Sequence, residues 1–349
     1  MGSSTLNRPT ISVVIPTYNR CHSLKITLIG LSAQTYPRDL YEVIVVSDGC
    51  TDNTESVVKE YKSVNQNAVQ YINQINSGPA SARNRGVSAA NNDIIVFLDD
   101  DVEPVPQFLE RHASRHMQDD RLAVIGPMSS DSRRLNEPVW ITWEHEKLLR
   151  VYKMFQKGGA YPDGVGGPMH FYSGNASIRK SWLVSSGGFD TRYKRQEDVE
   201  LAERLAASLS IRFVFDFGAD GIHRPVRTFK SWLRIPADYG RLDAQRLAEG
   251  TIDQKHLRGN FEDRHWLSKL VVGFVGLSSI TAAVTEAILI RLTLMSAAMR
   301  IKKVSLLLLS ALYNATYHRN FIAERNRLRT QKAKRIGPKG SAPTNTATL

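Results

Sequence analysis

The sequence predicts an α/β fold, a mostly parallel, doubly wound sheet flanked by helices, with a helical appendage at its C-terminal end. Three observations carry this. Apolar runs rich in β-branched residues, at 11–15, 41–46 and 94–98, suit strands buried on both faces. Helix-like segments separate them, so that strand and helix alternate four times over the first hundred residues. The runs end on Tyr18, Asp48 and the triplet Asp99-Asp100-Asp101, which places polar side chains at carboxyl ends of strands, where such sheets hold their ligands.

Taken in order, Ile11-Ser12-Val13-Val14-Ile15 is a strand stopped by Pro16 and followed by the turn Thr17-Tyr18-Asn19-Arg20, with a helix expected over 23–33. The strand 41–46 runs into Ser47-Asp48-Gly49-Cys50-Thr51-Asp52. Asp52 stands as the N-cap of a helix reaching about 61, and Glu55 three residues on outlines a capping box. A short strand at 69–72, a loop through Ser77-Gly78-Pro79 and an Ala-rich helix over 80–90 lead to Ile94-Ile95-Val96-Phe97-Leu98. Three adjacent carboxylates repel, and a divalent cation bridging to another anion relieves more of that strain than a helix N-terminus can. The bland alternative is an acidic turn capping a helix that begins near Pro104.

Composition sets the bounds. The chain has 349 residues and 42% hydrophobic content, enough for a large domain with an appendage or for two domains. Two cysteines, Cys21 and Cys50, rule out a disulfide framework and fit a reducing compartment. The net charge of +12 asks for an anionic partner; without zinc-finger spacing or an RNA-binding aromatic signature, anionic lipid or phosphorylated substrates are favoured over nucleic acid. Residues 1–9 are polar and lack the basic and apolar regions of a signal peptide, and Leu6 stands where a myristoylation motif has Ser or Thr.

Six motifs in order carry a resemblance: Ile15-Pro16-Thr17-Tyr18-Asn19, Val46 to Asp52, Gly78 to Gly86, the Asp triplet, Gly187-Gly188-Phe189-Asp190 and Glu197-Asp198-Val199-Glu200-Leu201. Together they resemble the family 2 glycosyltransferases with the Rossmann-like GT-A fold, over residues 10–227. The resemblance implies an inverting enzyme that moves a sugar from a nucleotide diphosphate to a hydroxyl with a divalent metal, Mn²⁺ or Mg²⁺. It implies that Pro16 and Tyr18 line the base, Asp48 accepts a hydrogen bond from its ring, and Arg83 lies near base and diphosphate, where a guanidinium pairs with phosphate oxygens. It implies that Asp100 contacts the ribose and Asp101 the metal, with Asp99 the most dispensable of the three. Asp198 matches the general base, with Glu197 the fallback, and His223 in Asp220-Gly221-Ile222-His223 the position where related enzymes place a metal or diphosphate ligand. Ser47 departs from the pattern, which has an acid there, and this loosens the reading of the nucleotide.

The remaining segments bear on the acceptor and on location. Residues 138–156 form an amphipathic helix carrying Trp140, Trp143, His145 and Tyr152, either a sugar-stacking platform or core. The glycine-rich run 158–168 is either a mobile lid or a connector. In the helix opening at Gln196, the apolar positions Val199, Leu201 and Leu205 face the sheet, and 212–215 is a further strand.

Beyond Val226 come a basic amphipathic segment to about 250 and a polar loop to 264. The apolar stretch 267–299 follows, within which 270–290 has about the ~20 residues that span a bilayer. Glu286 argues against a simple span, and in an interfacial arrangement it and Arg291 turn outward. Residues 319–339 hold eight Lys or Arg against one Glu, a tail that anionic membranes attract; the alternative is a hairpin packed on the catalytic domain or on a second subunit.

The expected organisation is a flexible 1–9, a catalytic domain 10–227 with its nucleotide-sugar half at 10–101 and its acceptor half at 102–227, a helical region 228–339 and a disordered 340–349. The expected partners are a nucleotide diphosphate sugar, a saccharide or lipid-linked acceptor, an anionic membrane surface and a second copy of the chain. The expected place is the inner face of the cell membrane, in polysaccharide and cell-envelope synthesis. The alternative function is an inactive nucleotide-binding scaffold, against which the retention of both the triplet and Glu197-Asp198 argues.

Overall fold

β1 (Ile11–Thr17), α1 (Cys21–Ser32), β2 (Tyr41–Asp48), α2 (Thr54–Val64), β3 (Ala68–Gln74), α3 (Pro79–Ala89) and β4 (Ile94–Leu98) follow one another in the computed structural model. It describes residues 8–65, 68–131, 137–156, 165–253 and 266–336. β5 (Val102–Pro104), α4 (Phe108–His116), β6 (Leu122–Ile125), β7 (Met128–Ser130) and α5 (Val139–Gln156) come next. Then follow β8 (Val165–Gly166), β9 (Asn175–Arg179), α6 (Lys180–Ser185), α7 (Glu197–Leu209), β10 (Arg212–Phe215) and β11 (Gly221–His223). The helical remainder is α8 (Phe229–Glu249), α9 (Trp266–Leu277), α10 (Ser279–Ala298) and α11 (Lys302–Ile336). The chain divides into two units, 1–226 and 227–349.

In the first unit an eight-stranded sheet has the order β3-β2-β1-β4-β9-β6-β10-β8. β1 to β4 are parallel, with Val13 beside Val43 on one side and Val96 on the other. β9 runs antiparallel between β4 and β6, and β8 is antiparallel to β10, so the sheet is mixed beyond β4. The strand runs bury both faces, as their unbroken apolar pattern requires: Ile11, Val13, Val14, Ile15 and every residue of β4 are fully buried. α3 lies tight against β1. A Cβ on Gly86 would fall 2.3 Å from Val14 Cγ1, so only glycine permits that approach.

Because β1 is flanked by β2 on one side and β4 on the other, the chain reverses its winding there, and a crevice opens at the carboxyl ends of β1 and β4. A second, three-stranded sheet, β5-β11-β7, lies just beyond the triplet. No helix begins at Pro104, as the acidic-cap alternative required; residues 102–104 pair with β11, and α4 starts at Phe108.

Asp52 is not the N-cap of α2. Asn53 occupies that position, and Asp52 Oδ1 accepts from the Thr54 hydroxyl and amide at 2.5 and 3.2 Å while Oδ2 accepts from Cys21 N at 2.9 Å. The carboxylate thus ties the start of α1 to the start of α2. In α7 the core-facing residues are Leu201, Ala202 and Leu205, with Val199 only partly buried.

In the second unit α8 is capped by Thr228, whose Oγ1 accepts from Ser231 N at 3.2 Å, and ends at Gly250. α8 packs on α11, whose Tyr317 donates to Asp243 Oδ2 at 2.5 Å. The expected span 270–290 is not one helix. It breaks at Ser278, whose side chain exchanges hydrogen bonds with Thr281 in a capping box, so the segment divides between the 12 residues of α9 and the 20 of α10. Glu286 does not turn outward. It is buried, accepts from Thr316 Oγ1 at 2.8 Å and pairs with Arg319, because a lone carboxylate on an apolar helix is best held by a cation on the helix packed against it. Arg291 is exposed.

Candidate active site

The β1–β4 crevice opens with the turn after β1. Tyr18 is 52% exposed, so its ring is available as a stacking surface rather than packed on the core. Asn19 adopts φ 51°, and its Oδ1 accepts from Thr51 N at 2.8 Å, which joins this turn to the one after β2. Pro16, in the last turn of β1, is partly buried beside Val46.

At the end of β2, Asp48 Oδ1 accepts from Gln74 Nε2 and Ser77 N, each at 2.8 Å, and Oδ2 from Gly78 N at 2.9 Å. Asp48 therefore organises the loop that leads into α3. Ser47 donates to Asn73 Oδ1 at 2.8 Å and accepts from Cys50 N at 3.1 Å, so the position where an acid was expected serves the same turn.

The triplet divides by burial. Asp100 is 3% exposed; its Oδ2 accepts from Thr17 Oγ1 at 2.7 Å, its Oδ1 from Arg20 Nη1 at 3.0 Å, and its carbonyl from Thr27 Oγ1 at 3.0 Å. Burial pushes its carboxyl up to about 7, with Arg20 opposing. Asp101 Oδ2 accepts from Arg20 Nη1 at 3.2 Å, and its Oδ1 lies 3.7 Å from His223 Nε2. Asp99 is the accessible member, its side chain 36% exposed, and it accepts from Arg83 Nη2 at 2.9 Å.

Arg83 is not an exposed helix charge. It is 5% exposed, and while Nη2 holds Asp99, Nη1 donates to Glu197 Oε1 at 2.8 Å. Its guanidinium lies 5.7 Å from the centre of the Phe189 ring. That ring is set by the Gly187-Gly188 turn: Asn84 exchanges two 2.8 Å bonds with the Phe189 backbone, and Gly188 holds φ 73°, where a side chain would strain the turn. One arginine thus joins the triplet, α3 and the start of α7.

At α7, Glu197 is 7% exposed, and Asp198 beside it is partly buried. Asp198 Oδ1 accepts from Val199 N at 2.9 Å, and Oδ2 from the amide and hydroxyl of Ser173 at 3.2 and 3.3 Å. Burial, reinforced by the charge of Glu197, pushes its carboxyl up to about 6, where it changes state close to neutral pH.

His223, on β11, is buried and meets the ring of His145 edge-on at 5.5 Å; His145 Nδ1 lies 3.2 Å from Glu137 Oε2. Among the described residues no three His, Cys, Asp or Glu side chains converge as a cation cage. The pair Asp101 and His223 nevertheless fits a divalent ion that takes the rest of its shell from a substrate, since a carboxylate oxygen and an imidazole nitrogen face each other at 3.7 Å.

Thr17, Arg20 and Ser173 were missed in the sequence, although Thr17 and Arg20 sit in the turn motif itself. Trp143 and Tyr152 are buried; Tyr152 packs on Phe215 at 5.2 Å and accepts from Met128 N at 2.9 Å, so these two are core rather than a sugar platform. The expected lid, 158–168, lies outside the described residues up to 164; its end forms β8 and the short turn Pro168–His170.

Residues 12–183 match the family described as Glycosyl transferase family 2. Glycosyltransferase AglE of Haloferax volcanii is 37% identical over 112 residues, 32% of this chain and 36% of that protein. A chondroitin synthase of Escherichia coli is 32% identical over 221 residues, 56% of this chain and 32% of that protein. The chain thus matches about a third of the length of these curated relatives. Among solved structures, the mannosyltransferase PcManGT from Pyrobaculum calidifontis, in complex with GDP-Man and Mn²⁺, shares the fold with a TM-score of 0.59 at 20% identity, over 94% of this chain and 89% of that one.

Proposed function

Because the chain carries a family 2 glycosyltransferase domain with the GT-A fold, we propose that it transfers a sugar from a nucleotide diphosphate donor to an acceptor hydroxyl, with inversion at the anomeric carbon. The observation that carries the reading is the Arg83 bridge, which fixes an accessible carboxylate, Asp99, and the acidic start of α7 around one crevice. The donor lies at the β1–β4 switch point. Tyr18 offers its exposed ring to the base, Pro16 shapes the floor below it, and Asp48 reaches the base ring from the loop it organises.

Asp101 and His223 would hold the divalent ion, Mn²⁺ or Mg²⁺, the rest of its shell coming from the donor; Asp100, enclosed by Thr17 and Arg20, shapes the ribose side. Within the triplet Asp99 is the acid open to solvent, while Asp100 is enclosed and supports the site through Thr17 and Arg20. When bound, the ion neutralises charge on the departing diphosphate. Arg83 holds Asp99 and Glu197 at their stations, and so offsets the repulsion of the buried Glu197 on Asp198.

A sugar hydroxyl is a poor nucleophile until its proton is taken. Asp198, fixed by Ser173 and Val199 and raised in basicity by burial, takes that proton as the hydroxyl oxygen attacks the anomeric carbon from the face opposite the diphosphate. Attack from that face breaks the carbon–oxygen bond to the diphosphate and inverts the centre. Known relatives are named for synthesising chondroitin and for other glycosyl transfers, and a saccharide or lipid-linked acceptor at the inner face of a membrane fits the basic, apolar helical region. Incubation with nucleotide sugars and Mn²⁺, with and without EDTA, tests the reading: metal-dependent release of a nucleoside diphosphate supports it, and folded protein that neither binds nor cleaves any donor overturns it.

A further inference from the structure

The helical unit leaves two of its helices half bare. Of the 25 large hydrophobic side chains exposed among the described residues, 13 fall between Trp266 and Val304. They form stripes: Leu270, Phe274 and Leu277 recur along one face of α9, and Ile280, Val284 and Ile288 along one face of α10, at the spacing of a single helix side. The opposite faces, with Val271 and Val275 on α9 and Ala282, Glu286 and Leu289 on α10, are buried. An apolar surface of this extent marks a contact with something other than water.

The charges around it identify the occupant. Between 266 and 304 the charged residues are Lys269, Arg291, Arg300, Lys302 and Lys303, all exposed, and Glu286, the single acid, which is buried against Thr316 and Arg319. A second copy of the same surface would meet it with like charge. An anionic bilayer would accept the apolar stripes among its acyl chains and the five cations among its headgroups. Crossing the bilayer suits the helices less well. α9 has only 12 residues, and α10, although its 20 residues are long and apolar enough to cross, carries Glu286, tied to Thr316 and Arg319, and Arg291 in its middle turns.

We infer that α9 and α10 form a monotopic membrane-docking surface, lying in the plane of an anionic leaflet with Phe274 and Ile280 inserted. This rests on, and deepens, the reading of the protein as a transferase working at a membrane.

The test is flotation of the full chain with phosphatidylcholine vesicles, with and without phosphatidylglycerol, at low and high salt, beside the variant Phe274→Glu/Ile280→Glu. Both positions are exposed, so the variant keeps its fold, which circular dichroism and unchanged nucleotide-sugar binding check. The expected result is flotation with anionic vesicles, weakened by salt, removed by high-pH carbonate and reduced at least about tenfold in the variant. Failure to float at low salt overturns the inference. So does resistance to carbonate, which means a span, and so does concentration-dependent dimerisation abolished by the same variant, which means a second copy. Flotation without donor binding leaves this surface standing and removes the transferase reading; donor turnover without flotation does the reverse.

Discussion

Arg83 and Glu197, 114 positions apart in the chain, meet at 2.8 Å in the interior of the first unit, and the same guanidinium holds Asp99 at 2.9 Å. Removing the arginine strands the charge of the buried Glu197 in the interior and leaves Asp99 without its cation. Arg83→Met is expected to lower the unfolding free energy by about 3 kcal/mol and to abolish donor binding. Adding Glu197→Gln is expected to recover part of the stability and none of the binding. Denaturant unfolding and nucleotide titration check the two effects separately.

Asp198→Asn keeps the side chain's shape and one acceptor oxygen, enough for the bonds from Ser173 or the one from Val199 but not for both, and it cannot take a proton. Donor affinity is expected to survive while transfer falls ~10²–10⁴-fold. A parallel loss in Glu197→Gln with Asp198→Asn near normal would move the base one residue back.

The pH profile follows from the same residue. With its carboxyl raised to about 6 by burial, Asp198 is protonated and idle below that pH and ionised above it. Turnover is therefore expected to rise with pH through about 6 and then level off, and the limb is expected to vanish in the residual activity of Asp198→Asn. A profile flat from 5 to 8 in the wild type, as a rough window, would remove Asp198 from the role.

Asp101→Asn preserves the bond from Arg20 and weakens ligation opposite His223. Its donor affinity in Mn²⁺ is expected to drop to the wild-type value in EDTA, whereas Asp99→Asn, which loosens the Arg83 bridge, is expected to weaken donor binding with and without metal alike. Asp100→Asn, whose partners are Thr17 and Arg20, is expected to cost stability more than metal dependence. Calorimetric titration of the nucleotide with and without metal separates the three.

Much of this was legible in the chain. Unbroken apolar runs announced β1, β2 and β4, and their polar ends located the crevice, because a strand buried on both faces has nowhere else to place a carboxylate. β9 was not legible. Its Asn175 and Ser177 read as polar and yet are fully buried, satisfied by the His112 and His116 rings on α4 at 2.8–3.1 Å, a partnership set by folding and not by local pattern. The burial of Arg83 was hidden for the same reason, since its partners come from distant segments. Glu286 was misread as outward-facing because the break at Ser278, which resets the helix phase, rests on a two-residue side-chain exchange.

Packing offers a control that spares the chemistry. Gly86→Ala would force a Cβ to 2.3 Å from Val14, and is expected to cost about 1–3 kcal/mol by thermal or denaturant unfolding. Donor affinity in the fraction that remains folded is expected to stay unchanged.

Nucleoside diphosphate release tests the central claim most directly, measured with UDP-, GDP- and dTDP-sugars in Mn²⁺ and with a saccharide or lipid-linked acceptor present. The account predicts release from at least one donor, stopped by EDTA and cut by ~10²-fold or more in Asp198→Asn. Release that is equally fast in EDTA and in Asp198→Asn would contradict it.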